Sequence, residues 1–139
     1  MIRDATFDDM SELMPLAALA HQGSPFSEIA MNASTMQRSY VVAMNYDDGY
    51  AKVIEKEGRI VGGLIGLIAD NHYGIRCAQD LLNYSLCDTD ILVKDFIRWA
   101  GDRNAKFVQI TDLSENDRYG KLLMRLGLNS AGFNYAKVI

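Results

Sequence analysis

From Tyr50 to Leu86 the pattern of apolar positions reads as extended, whereas on either side of that stretch they recur at helical spacing. Ile2 to Ala5 is a short extended segment. Thr6 with Asp9 forms a capping box that starts a helix, and Leu13, Leu16, Ala17 and Ala20 carry its apolar stripe to about His21. Gln22 to Phe26, with Gly23 and Pro25, breaks it. A second helix starts at Asn32 or Ser34, where Ser34 and Gln37 give another capping box, and its stripe is Met36, Tyr40, Ala43 and Met44. Asn45 to Gly49 ends it in turn residues.

Tyr50 to Lys56 then alternates, Glu57-Gly58 is a hairpin signal, and Arg59 to Ala69 is a β-rich run. After a turn at Asp70 to Gly74, Ile75 to Leu86 supplies a third strand of an antiparallel meander. Asp88 or Thr89 starts a helix with Leu92, Phe96, Trp99 and Ala100 on one face; Phe107 to Thr111 is a buried strand. Asn116 to Leu126 is a helix stopped by Gly127, and Gly132 to Ile139 closes as a strand, an edge available for homodimer pairing. The order β-α-α-β-β-β-α-β-α-β describes one α/β (α+β) domain over 1–139: a mixed, mostly antiparallel central sheet flanked by helices, with a parallel pair made across residues 80–111.

Composition narrows the function more than the fold. At 49% hydrophobic and 23% charged the chain is globular, and its longest apolar run, Ile60 to Ala69, is too short to span a bilayer. A net charge of −4 with basic residues scattered singly excludes a nucleic-acid binder that works by neutralising phosphates. Cys77 and Cys87 lack a CxxC or Cys/His pattern and read as reduced thiols. His21 and His72 sit at no ligand spacing, so no metal is expected. The opening IRDATFDDM has no secretory signal pattern, which gives a cytoplasmic expectation. The methionines of the first two helices, Met10, Met14, Met31, Met36 and Met44, read as packing.

The opening IRDAT, the EKEGRIVGGLIG hairpin, the helix ending FIRWA and the tail NDRYGKLLMRLGLNSAGFNYAKVI stand in the order found in the GCN5-related N-acetyltransferase superfamily, which the whole chain resembles. The resemblance implies a GNAT-like fold and acetyl transfer from acetyl-coenzyme A, as co-substrate, to an amine. It places the pantetheine arm along Leu82, Asn83 and Tyr84, in a splayed gap between two strands. It also aligns Tyr84, Cys87 and Thr89 with the Q/R-x-x-G-x-G/A loop that cradles the pyrophosphate, and Asn116 with the start of the tail motif. In this chain that span has no glycine and no basic residue, while Asp88 and Asp90 stand in the first helical turn, where they are expected to satisfy the unpaired N–H groups themselves. A weak or altered cofactor site follows.

The family's usual tyrosine acid falls on Leu123; Tyr119, one turn earlier on the same face, is the substitute acid, with a structural tyrosine as the alternative. Asp80, a carboxylate before an apolar pair on a central strand, reads either as a base for the substrate ammonium or as an ion-pair partner of Arg76. His21, Ser24 and Phe26 lie at the edge where the resemblance brings in the amine. Cys87 has no partner for nucleophilic work. Two functions follow: an N-acyltransferase, or a non-catalytic interaction or assembly protein on the same fold, of the kind a phage encodes for morphogenesis or its virion.

Overall fold

A short first strand, β1 (Ile2–Asp4), supplies the residue that fastens the first helix to the sheet. In the computed structural model, which describes residues 1–114 and 116–139, the Arg3 guanidinium donates to both oxygens of Asp9 at 2.8 Å and to Glu55 at 3.0 Å. Asp9 also accepts the Thr6 N–H at 2.8 Å, which completes the capping box read from the sequence. One turn of 3-10 helix, Phe7–Asp9, leads into α1 (Met10–Gln22), which buries Met10, Leu13, Leu16 and Ala17. Pro15 lies inside α1 and lacks the N–H that Ser11 would accept. Both residues are on the exposed face, so water reaches that carbonyl.

The second helix, α2 (Ala33–Asn45), is capped by Asn32, whose side chain accepts the Thr35 N–H at 3.1 Å. Ser34 spends its hydroxyl on Asn32, so the expected Ser34–Gln37 box is not the cap. The turn residues after α2 then feed β2 (Gly49–Lys56), antiparallel to both β1 and β3 (Arg59–Asp70). Glu57 and Gly58 both take positive φ, 51° and 74°, as a two-residue hairpin twisted with its strands requires. A glycine in the middle of β3 has a packing cause: a Cβ on Gly66 would sit 2.5 Å from the Gln79 carbonyl and 3.0 Å from the Phe96 ring.

β4 (Arg76–Ser85) pairs antiparallel with β3, but with one residue too many: Ile65 faces Leu82, Gly66 faces Asp80, and Leu81 has no partner. This bulge changes which face the strand presents. Ala78 packs with one core cluster and Leu82, an even distance on, with the other. After α3 (Thr89–Asp102), β5 (Phe107–Gln109) returns parallel to β4 through Cys77, Ala78 and Gln79, and α4 (Arg118–Arg125) follows. The 5-stranded sheet runs β1-β2-β3-β4-β5. α1 and α2 cover one face over Leu13, Val53 and Ile65; α3 and α4 cover the other over Leu64, Phe96 and Leu123. Asp95 ties α3 to β2, accepting the Tyr50 hydroxyl at 2.8 Å and the Lys52 ammonium at 2.9 Å.

Beyond α4 the order departs from the sequence reading. Gly127, at φ 93°, ends the helix, and residues 129–139 form no strand. A strand exists through its pairing, and β5, the edge strand on that side, carries only 3 residues. Phe133 and Tyr135 therefore stay 82% and 92% exposed, and the chain does not build the closing edge that its alternation predicts. Among the described residues no helix is long and apolar enough to cross a membrane.

Candidate active site

The parallel pairing of β4 with β5 ends at Gln79 and Gln109, and beyond it the two strands part. From Asp80 to Ser85, β4 keeps its ladder to β3, while its other backbone edge faces a cavity of about 990 Å³. The volume lies at the upper end for a small-molecule site, enough for more than one ligand. All the site residues expected from the sequence except Cys87 line it: Asp80, Leu82, Asn83, Tyr84, Thr89, Asn116 and Tyr119 on one side, His21, Ser24 and Phe26 on the other.

Asp80 sits at the fork. Its Oδ1 accepts the Thr111 backbone N–H at 3.1 Å, bridging the strands where they separate. The ion pair with Arg76 does not form, because Arg76 forks onto Asp48 at 3.1 and 3.2 Å and donates to the Arg103 carbonyl. Burial pushes the Asp80 carboxyl up to about 6, with the Thr111 bond opposing. A carboxylate so placed loads and unloads its proton close to neutral pH.

On the same side of the cavity Tyr119 accepts a hydrogen bond from Asn83 Nδ2, and its phenolic hydrogen has no acceptor among the described residues. Burial first, and then the charges of Asp80 and Asp112, push the Tyr119 hydroxyl far above its ordinary range, so it stays protonated. Leu123, where the resemblance puts the acid, is buried in the core beneath α3 and has no route to the cavity. Two polar atoms on the same side of β4, Asn83 Oδ1 and Ser85 Oγ, are buried without a hydrogen-bond partner among the described residues. Such groups are costly to leave unpaired, and both belong to residues that line the cavity.

The start of α3 corrects an electrostatic expectation. Asp88 precedes the helix in a left-handed conformation, φ 56°, and no side chain caps the helix. Asp88 instead pairs with Lys56 and Asp90 with Lys94, at 3.2 Å for the latter. The carboxylates therefore do not occupy the first N–H groups, and each has a cation beside it. The cation missing from the loop's sequence arrives through tertiary contact, from the end of β2. Cys87 lies next to this pair, outside the cavity lining.

The remaining residues differ in what they have free. Ser24 donates its hydroxyl to the His21 carbonyl at 2.7 Å and accepts the Phe26 N–H at 3.2 Å, so it shapes the turn. Asn116 Oδ1 accepts the Arg118 N–H at 3.0 Å and starts α4. Tyr40, read from sequence only as part of a helical stripe, lines the cavity, as do Asp112 and Arg118. No sequence signal marks Tyr40, because core and cavity tyrosines share the same spacing. No group of three or more His, Cys, Asp or Glu side chains among the described residues is placed to hold a metal ion.

No protein-family model matches the chain, and no curated protein matches it in sequence. Solved structures do. Ribosomal-protein-alanine N-acetyltransferase from Brucella melitensis biovar Abortus 2308 superposes with a TM-score of 0.71 at 15% identity, over 100% of this chain and 99% of that one. A transcriptional regulator from Bacillus halodurans C-125 superposes with a TM-score of 0.77 at 15% identity, again over 100% and 99%. AAC(6')-Iy, in complex with the bisubstrate analogue CoA-S-monomethyl-acetylneamine, gives 0.73 at 13% identity over 100% and 98%. At these identities the likeness establishes the fold, which is that of the GCN5-related N-acetyltransferases, as the sequence resemblance implies.

Proposed function

We propose that the protein is an acyl-coenzyme A-dependent N-acyltransferase that moves an acetyl group onto an amine, with the cavity at the β4–β5 fork as its active site. The observation that carries this reading is the presence, in that one cavity, of a proton acceptor poised near neutral pH, Asp80, and a donor that stays protonated, Tyr119. The fold shared with acetyltransferases supports the reaction class.

Acetyl-coenzyme A would supply an acyl carbon already activated as a thioester. The residues present suit its arm and its phosphates. The free backbone edge of Leu82 to Tyr84 offers alternating N–H and carbonyl groups to an amide-rich chain, and Asn83 Oδ1 and Ser85 Oγ lack partners that such amides provide. Thr89 and the start of α3, which the Asp88 side chain does not cap, offer N–H groups to an anion, with Lys56 alongside and Asn116 in the same cavity lining.

Within that arrangement Asp80 takes a proton from the acceptor ammonium and frees the nitrogen lone pair. As the C–N bond forms and the C–S bond breaks, Tyr119 gives its hydroxyl proton to the departing sulfur. The proton released when the nitrogen becomes an amide balances the one Tyr119 loses. The cavity holds the two reactants side by side, and that placement provides much of the rate. A titration with acetyl-coenzyme A, followed by thermal unfolding, tests the reading: ligand that binds the native state must raise the midpoint. No rise at millimolar ligand overturns it.

A further inference from the structure

The wall of the cavity built by α1, the turn after it and α2 has a chemistry of its own. Ala17, Ala20, Phe26, Met36 and Tyr40 line it, and Tyr84 extends it from β4, packed against the same core cluster. Among the described residues, the charged side chains of the cavity, Asp80, Asp112 and Arg118, all come from the other side, where β4, the segment after β5 and α4 meet. An acceptor's body resting on the α1–α2 wall therefore meets apolar and aromatic surface with no carboxylate to receive a second cation.

Besides His21 and Ser24 at the turn, the latter with its hydroxyl spent on the His21 carbonyl, Tyr40 brings a polar atom to this surface. Its residue is only 3% exposed, its hydroxyl has no hydrogen-bond partner among the described residues, and burial alone raises it to about 12. The ring is packed away while the hydroxyl is not among the buried unpaired atoms, so it opens on the cavity, where a ligand atom can replace water as its partner.

We infer that this wall selects an amine with a single positive charge and an apolar, ring-sized body that carries one hydrogen-bonding atom for the Tyr40 hydroxyl. Polyamines, aminoglycosides and hydrophilic peptide amines are discriminated against, because their further charges and hydroxyls would be buried unpaired there. The inference rests on the proposed function only for the position of the ammonium at Asp80; the selectivity belongs to the wall itself.

Ligand-observed NMR titration of the full chain without acyl donor, using tyramine, phenethylamine, spermidine and kanamycin, tests it. The two ring amines should bind at least tenfold more tightly than the polycations, with tyramine ahead of phenethylamine. Tyr40→Phe should weaken tyramine about fivefold to tenfold, the scale of one hydrogen bond, and leave phenethylamine unchanged. Phe26→Ala, at a half-exposed position that folding tolerates, should weaken both. Tighter binding of spermidine or kanamycin, equal loss of both ring amines in Tyr40→Phe, or no binding of either ring amine overturns the inference. Selective amine binding without any response to acetyl-coenzyme A would strike the acyltransferase reading and leave the pocket's selectivity standing.

Discussion

The Thr111 backbone N–H reaches Asp80 Oδ1 at 3.1 Å across the point where β4 and β5 part, so one carboxylate both pins the fork and stands at its opening. It holds its proton up to about 6 because burial disfavours the charge. Asp80→Asn keeps the acceptor for Thr111 and removes the base proposed above. Turnover should fall by about 10²–10⁴-fold, and the acid limb of the wild-type pH–rate profile, near pH 6, should vanish. Steady-state kinetics over pH 5 to 8 measure both.

The same shift has a stability consequence of definite sign. The folded carboxyl binds its proton more tightly than the unfolded one, so its favourable contribution is full below about pH 4 and is lost as pH rises through 6. Asp80→Asn should therefore be more stable than the wild type at pH 7.5, by about 1–2 kcal/mol after allowance for screening, and the gap should close by pH 4. Urea unfolding at the two pH values decides it; a variant less stable at pH 7.5 would remove the case for a strained, buried base.

Tyr119→Phe takes away the proposed proton donor and leaves Asn83 Nδ2 without its acceptor. Turnover should drop about 10²-fold while the midpoint shift given by acetyl-coenzyme A stays within error. Placing a tyrosine at 123, where the resemblance puts the acid, should not help. In Tyr119→Phe/Leu123→Tyr the new ring enters a packed core, costing about 1–3 kcal/mol and recovering no activity. Recovery would mean that α4 sits differently from its position here.

At the start of α3 the pairing of Asp88 with Lys56 sets a test of anion binding. Asp88→Asn removes a like charge and releases Lys56, so acetyl-coenzyme A should bind severalfold more tightly. Lys56→Ala should weaken it, and both effects should shrink as salt is raised. Both side chains are well exposed, so the stability of either variant should stay close to that of the wild type. Calorimetry at two ionic strengths reads the outcome.

Arg3 and Asp9 give a prediction away from the site. Arg3, above all other causes, holds the Asp9 carboxyl down to about 2. A depressed carboxyl stabilises the fold above its unfolded value near 4 and loses that contribution as pH falls toward 2. Arg3→Gln should cost about 1–3 kcal/mol at pH 7 and should flatten acid unfolding between pH 4 and 2. Circular dichroism titration of both proteins shows the difference.

Local chemistry made much of this fold legible. Glu57-Gly58 fixes a hairpin by backbone conformation alone, the Thr6–Asp9 box fixes the start of α1, and the Leu92–Phe96–Ala100 spacing fixes the buried face of α3. What stayed hidden depends on partners distant in sequence. Lys56 beside Asp88, Asp48 in place of Asp80 as the partner of Arg76, and the failure of residues 132–139 to form a strand are settled by which segments meet. The site divides the same way. Asp80, Asn83 and Tyr119 are candidates by position and by the resemblance, whereas the Asn83–Tyr119 contact and the place of Tyr40 in the cavity wall exist only in three dimensions.

The bulge in β4 gives a rule for editing this chain. Leu81 is 46% exposed and has no partner on β3, so nothing in the ladder fixes its identity and its side chain only shapes the cavity wall it helps to line. Its place in the count is not dispensable. With one residue fewer, every position after it would exchange inside for outside: Leu82 would leave the core under α1, and Asn83 and Ser85 would turn away from Tyr119. For a graft, a shortened variant or a distant homologue aligned through this strand, whether the length is odd or even tells more about the site than the letters do.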